Sequence, residues 1–422
     1  MKIKLLPHQI EILNSTAKHK RVGYFLGMSC GKTFISSEKA NSLNVDILIV
    51  CPKSIILMWT DHFEKYYPKY ARFDLTKPKE YTAFFQYKKK KVGFINYDLV
   101  WRRPELSTLK NYTLLLDESS FIKNETTRRA KFILNQMKPD NVILCSGTAA
   151  SGRYENLFSQ LRLLGWNVSK KAFWNRYINY YTDTRQGFPI TYVYGYKNVQ
   201  ELKQRIYEYG GRFLKTEDVL TLPEQIFTTI KCKTTPKYLK FQKTGIVTLD
   251  GVELVGDTVL TKLLYMRMLC GHYNPSKVEA LKDLVRSTSD RLIVFYNFTA
   301  ELDIIKEVAR AEDKPLSVIS GGEKNLEAYE KYENSITAIN FQAGSHGLNL
   351  QKVSVMVFFT PTLSVENYMQ SQKRIHRYGQ KKTCSYYFLV CENSVEEKIY
   401  SSLERGQDYE LELFKNDFLT EE

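Results

Sequence analysis

A chain of 422 residues has room for two or three domains, each with its own core. Its 43% hydrophobic and 13% aromatic content excludes a disordered polypeptide, and no apolar stretch approaches the ~20 residues a membrane-spanning helix needs. The formal net charge of +15 favours a polyanionic partner, nucleic acid first, although a basic surface kept only for solubility would carry the same number.

The seven cysteines never form a CxxC pair, and no histidine stands at ligand spacing from them. They read as small core residues in a reducing compartment, with neither a disulfide frame nor a zinc site. The opening MKIKLLPHQI lacks a cleavable signal pattern. A soluble, cytoplasmic, monomeric chain without membrane contact is expected.

In chain order, residues 5–14 (LLPHQIEILN) predict a helix with proline in its first turn. Gln9 stands just ahead of the most informative stretch; its amide could pair with adenine or simply be solvated. Tyr24–Phe34 (YFLGMSCGKTF) runs from an apolar strand through a short loop into a helix start. That is the layout of a phosphate-binding loop, with backbone N–H groups and a helix N-terminus facing an anion. Lys32 would reach the terminal phosphates and the Thr33 hydroxyl would ligate Mg²⁺. The strict pattern wants glycine at position 26, where Leu26 stands, so a turn followed by a lysine remains the alternative.

Asp46–Cys51, Phe94–Tyr97, Tyr112–Leu116 and Asn141–Cys145 are short apolar runs, the mark of parallel strands buried on both faces. The first ends at Pro52-Lys53-Ser54, ahead of a helix-like IILMWTDHF. The third ends at Asp117-Glu118-Ser119-Ser120, and the fourth at Ser146-Gly147-Thr148. Two acids closing a buried strand are costly unless they bind a cation, do chemistry or cap a helix. In a nucleotide site Asp117 would hold Mg²⁺ and Glu118 would polarise the attacking water. Gly165–Tyr209 interleaves basic and aromatic residues. It suits either a grip on a nucleic-acid strand or an aromatic subcore with a solvated face.

The TLPE at 221–224 reads as a boundary. A helical region follows, then strand–helix alternation resumes at Arg291–Tyr296, Ser317–Ile319, Thr337–Phe341 and Val353–Thr360. The fold expected is α/β, with two doubly wound parallel-sheet lobes. Its divisions fall at 1–225 (lobe one), 226–285 (helical linker), 286–400 (lobe two) and 401–422 (helix and acidic tail). In ENYMQSQKRIHRYGQ, Arg374 and Arg377 share one side of a helix, with Gln370 a turn earlier. The pair suits a phosphate arriving from elsewhere, or a solvated basic helix.

Taken together, these stretches resemble the Swi/Snf-type ATPases of helicase superfamily two over about residues 5–400. The resemblance is carried, in the family's order, by LPHQ, GMSCGKT, ILIVCPKSIILMW, INYDLV, LLLDESSFIKN, CSGTAASGRYENLFSQLRLL, LIVFYNFTAEL, INFQAGSHGLNLQ and QSQKRIHRYGQKK. It implies two tandem RecA-like lobes with ATP and Mg²⁺ in the cleft between them. Gln9 would read adenine. Ser29, Cys30, Gly31, Lys32 and Thr33 would hold the phosphates and metal, Asp117 the metal, and Glu118 the water. Arg374 and Arg377 would be arginine fingers, while Gly347 and Gln370 sense nucleotide. Duplex or branched DNA would be held on its backbone, without sequence preference, by Lys53, Ser54, Gly147, Thr148, Ser345, His346 and Asn349.

Departures from the family pattern are Ser29 for its usual glycine, Ser120 for the histidine of its DEAH-box, and Ser146 and Ala149 for Thr and Pro of its TGTP. They fall where the ATP site meets the DNA site. The short flanks suggest a minimal, phage-like member. The function expected is a translocase or remodeller that hydrolyses ATP on DNA. The alternatives are a strand-separating helicase, which needs a wedge, and a nucleotide-gated DNA-binding module with little turnover.

Overall fold

A computed structural model describes residues 3–27, 29–147, 154–183, 190–344, 350–406 and 418. The chain divides into two compact units, Met1–Leu220 and Thr221–Glu422.

The first unit is built on a seven-stranded sheet. In chain order its strands are β1 (Arg21–Leu26), β2 (Asp46–Cys51), β3 (Ala71–Asp74), β4 (Lys91–Asn96), β5 (Tyr112–Asp117), β6 (Asn141–Ser146) and, after a separate hairpin of β7 (Ile178–Asp183) and β8 (Ile190–Tyr196), β9 (Gly211–Leu214). The spatial order is β3-β4-β2-β5-β6-β1-β9, and every adjacent pair is parallel. Strands β5 and β6 are buried at every position, as continuous apolar runs require when helices cover both sheet faces. Because all strands point one way, the loops after β1, β2, β5 and β6 emerge at the same carboxyl edge, where open α/β sheets bind ligands.

The second unit carries its own seven-stranded sheet, in the order β10-β18-β17-β13-β16-β14-β15. Its strands are β10 (Gln225–Cys232), β13 (Leu292–Tyr296), β14 (Leu316–Ile319), β15 (Lys324–Asn325), β16 (Ile336–Asn340), β17 (Val355–Phe358) and β18 (Cys384–Cys391). Only the β14–β15 pair is antiparallel.

Two expectations are corrected. The region 226–285 is not helical throughout. It opens with β10, which pairs in parallel along the whole of β18, from Gln225↔Cys384 to Cys232↔Cys391. Its helices Pro236–Thr244 and Val259–Cys270 are separated by a hairpin of β11 (Ile246–Leu249) and β12 (Val252–Val255). The edge strand β10 is mostly exposed, so it lacks the buried apolar run that betrays a central strand. The arginine segment also differs: its helix, Val365–Gln372, stops before Arg374. Arg374 and Arg377 lie on the turns that follow, closed by a bond from Gln380 N to Arg377 O of 3.0 Å. Gly379, at φ +94°, makes that turn possible without strain.

Candidate active site

The loop after β1 delivers Gly31 as the cap of the helix Lys32–Leu43. Gly31 has φ +78°, and a Cβ there would lie 2.0 Å from Gln9 Nε2, so only glycine fits. Gln9, on the helix Pro7–Ser15, is 4% exposed. Its Nε2 donates to Cys30 O at 3.2 Å, and its Oε1 accepts from Leu6 N at 2.8 Å. The Gln9 amide thus braces the loop from behind. Lys32 Nζ donates to Leu26 O at 3.0 Å and Gly27 O at 3.3 Å, curling over the loop.

Ser29 also has positive φ, +65°. A side chain in that left-handed region costs about 1–2 kcal/mol, which accounts physically for a glycine preference at this place. Its buried Oγ has no hydrogen-bond partner among the described residues. A strained loop with an orphaned hydroxyl, a nearby ammonium and a helix N-terminus is chemically suited to an anion.

Asp117 closes β5 and is 8% exposed. Burial raises its pKa. The Trp59 indole, the Lys32 charge and the Glu118 N–H, which donates to Oδ1 at 3.1 Å, work against that rise. Trp59 Nε1 donates to Oδ2 at 2.8 Å, and Tyr97 OH to the backbone oxygen at 2.9 Å. A carboxyl group buried this far and oriented by directed donors is suited to a cation. Glu118 follows at φ +54°, another left-handed non-glycine residue. Backbone strain of this kind costs on the order of 1–3 kcal/mol and collects at functional sites. Between β1 and β5 lies β6, whose Cys145 thiol is pushed up by burial and then by Asp117.

The structure therefore brings Gln9, Ser29, Cys30, Gly31, Lys32, Thr33, Asp117 and Glu118 to one carboxyl edge of one sheet. Lys53, exposed, and Ser54 start the turn Lys53–Ile55 after β2, and Gly147 follows β6 at the same edge. In the second unit, Arg374 is 5% exposed, and its Nη2 donates to Gln370 Oε1 at 3.4 Å. Burial lowers the pKa of Arg377 from its ordinary value, with Tyr329 acting in the opposite sense. Thr148, Ala149, Ser345, His346, Gly347 and Asn349 lie outside the described residues.

Three positioning residues were not singled out by sequence reasoning. Trp59 holds Asp117, as above. Gln160 Oε1 accepts from Ser119 Oγ at 2.6 Å, fixing the turn behind Glu118. Gln380 Nε2 lies against three carbonyls, Gln351 O at 3.2 Å, Val353 O at 2.7 Å and Ile375 O at 3.2 Å. It ties the arginine turns to the entry of β17. Gln380 ends the R-x-x-R-x-G-Q pattern, so its position was a signal; the other two partners are set by tertiary contact.

A model of the SNF2-related domain matches residues 6–274, and a helicase conserved C-terminal domain matches residues 276–379. An uncharacterized ATP-dependent helicase of Mycoplasma pneumoniae is 24% identical over 407 residues, 88% of this chain and 38% of that protein. The mouse DNA annealing helicase and endonuclease ZRANB3 is 24% identical over 439 residues, 96% of this chain and 40% of that protein. The SWI/SNF-related regulator of chromatin subfamily A-like protein 1 of Xenopus tropicalis is 23% identical, with 85% and 39% covered. The chain thus spans about two fifths of the length of these relatives. Among solved structures, the Sulfolobus solfataricus SWI2/SNF2 ATPase core in complex with dsDNA aligns with TM-score 0.44 and 18% identity, covering 99% of this chain and 93% of that one. With the SNF2-related model matching well over half of its length, the chain belongs to the SNF2-related family, carrying that domain followed by a helicase C-terminal domain.

Proposed function

We propose that this chain is an ATP-dependent DNA translocase or remodeller of the Swi/Snf type, hydrolysing ATP when it engages duplex or branched DNA. The observation that carries the reading is the convergence of Lys32 with Asp117 and Glu118 at one sheet edge inside the SNF2-related match.

In this reading the loop Ser29–Thr33 binds the phosphates of ATP. Lys32 exchanges its two carbonyl partners for phosphate oxygens, and Thr33 and Asp117 hold Mg²⁺. The metal, when bound, neutralises charge on the phosphate oxygens. Glu118 orients the attacking water and takes its proton. Gln9 steadies the loop and, on the family's pattern, is assigned to adenine. Arg374 and Arg377 act as arginine fingers, with Gln370 and Gly347 sensing nucleotide; such fingers are worth on the order of 10³-fold or more in turnover.

DNA contacts are assigned to Lys53, Ser54, Gly147, Thr148, Ser345, His346 and Asn349. Groups of this kind meet phosphates, so binding is indifferent to sequence and weakens with salt. The formal charge of +15 supports a polyanionic substrate.

The reading is tested by displacement of a third strand wound on a long duplex. Translocation predicts ATP-dependent release of that strand, absent in Lys32→Ala. Retention of the third strand by a protein that turns over ATP would contradict it.

A further inference from the structure

The hairpin β7–β8 stands apart from the main sheet of the first unit and has two unlike faces. Tyr180 and Val193, opposite one another in register, pack against the core of the unit. Tyr181 pairs in register with Tyr192 on the other face, their rings stacked at 5.1 Å and 19°. Tyr194 follows on the same strand, 6.3 Å from the Tyr181 ring at 37°. Tyr181 is 52% exposed and Tyr194 70%. The result is a small outward platform of three aromatic rings, two stacked and the third tilted, on a ribbon backed by the core.

Its surroundings are basic. Residues 165–209 carry seven Lys or Arg against three Asp or Glu; Lys197, directly after the ribbon, and Lys171, on the helix that precedes it, are exposed. The base is anchored. Tyr196 OH donates to Glu155 Oε2 at 2.7 Å, and the Tyr154 ring meets Tyr196 edge-on at 5.0 Å. The same segment reaches the candidate active site: Gln160 Nε2 donates to Asn156 O at 3.2 Å while its Oε1 accepts from Ser119.

We propose that the Tyr181–Tyr192–Tyr194 platform stacks on unpaired bases of a DNA strand beside a duplex, as at a branch or fork. Flat aromatic faces combined with flanking ammonium groups suit a ligand with π-faces on an anionic backbone, and an unpaired strand offers both. In a duplex the base faces are already stacked on one another, so the platform distinguishes unpaired from paired DNA. The proposal rests on DNA being the substrate and names which part of it this surface takes.

The test measures binding without ATP, by anisotropy of a labelled oligo-dT and of a duplex of equal length. It adds a fork carrying 2-aminopurine at its first unpaired position. The variants are the triple Tyr→Ala at 181, 192 and 194 and the matching triple Tyr→Phe. We expect the alanine variant to lose on the order of 10-fold in affinity for the unpaired strand, with the 2-aminopurine quench abolished. Its duplex affinity should stay unchanged, and the phenylalanine variant should behave as wild type. The proposal is overturned if the alanine variant holds single strands normally, or if duplex and single-strand affinity fall together. A phenylalanine variant that fails like alanine would show hydroxyl bonding in place of stacking. A change only in sedimentation would make the platform a contact between copies, and this too overturns it. Duplex-stimulated turnover, measured in parallel, reports on the proposed function separately: its absence would strike that reading while leaving the binding comparison intact.

Discussion

The indole N–H of Trp59 donates to Asp117 Oδ2 at 2.8 Å, both side chains being buried. Trp59 sits on the helix Ile56–Tyr66, which follows the Lys53–Ser54 turn directly, so one helix links that turn to the carboxylate assigned to the metal. Trp59→Phe keeps the aromatic packing and removes the donor. A hydrogen bond to a charged group contributes about 1.5–3 kcal/mol, so the Mg²⁺ concentration for half-maximal turnover should rise about tenfold or more. A metal titration of the variant checks this; an unchanged requirement would detach Trp59 from the site.

Ser29 is held at φ +65° with a buried, partnerless hydroxyl among the described residues. Ser29→Gly removes both costs. Relief of about 1 kcal/mol should appear as added folding stability, readable by urea unfolding, with the affinity for a non-hydrolysable nucleotide analogue left unchanged. Weaker binding by the glycine variant would mean that the hydroxyl itself contacts the ligand.

His62, 8% exposed, is hydrogen-bonded through Nε2 to Ser37 Oγ at 2.9 Å within a ring cluster of Phe34, Trp59, Phe63, Tyr66 and Tyr67. Burial first, then the Lys65 charge, lowers its pKa to about 4. The unfolded chain takes up this proton from about pH 6.5 downward, whereas the folded chain does not until about pH 4. The neutral imidazole therefore contributes in full above about pH 6.5, and up to about 3 kcal/mol is lost as pH falls toward 4. An NMR titration of the His62 ring should show a midpoint near 4, and His62→Gln should flatten the slope of stability over that window. A midpoint near 6.5 would refute the assignment.

In the second unit Lys277 Nζ lies 2.6 Å from each oxygen of Glu396, with both side chains buried. Burial is the largest single influence and would lower the Lys277 pKa, but the Glu396 charge and hydrogen bond together with the Cys391 and Cys270 thiols raise it. The Cys270 and Cys391 thiols complete a group with Glu396 within 4.8 Å, yet the ammonium already occupies the carboxylate that a metal would need. Lys277→Met should cost about 3–5 kcal/mol by stranding the charge. Adding Glu396→Gln, which retains an acceptor for Cys391 N, should restore most of it. Urea unfolding of the single and double variants checks the cycle; additive losses would contradict the pairing.

What was legible in the sequence follows the range of the forces involved. DILIVC, YTLLLD and NVILC became β2, β5 and β6 because burial on both faces leaves an unbroken apolar run. The positions of Lys53, Asp117, Glu118 and Gly147 at or just after the ends of those strands could be located for the same reason. The hairpin β11–β12 was missed although Asp250 and Gly251, both at positive φ, are the pair a two-residue hairpin demands. Edge strands β9 and β10 hide because one side needs no apolar cover. The tyrosine-rich stretch divides: Phe173 and Tyr177 are core, as an aromatic subcore requires, while Tyr181 and Tyr194 face solvent. The Trp59–Asp117 and Lys277–Glu396 pairs, 58 and 119 residues apart, are products of folding that no local pattern announces.

The most direct measurement is ATP turnover without DNA, with single-stranded DNA and with duplex, beside Glu118→Gln. An ATP-driven translocase should show strong stimulation by duplex that vanishes in the variant, whose nucleotide binding persists. Turnover no higher than that of Glu118→Gln on every DNA would contradict it and leave a nucleotide-gated DNA binder in its place.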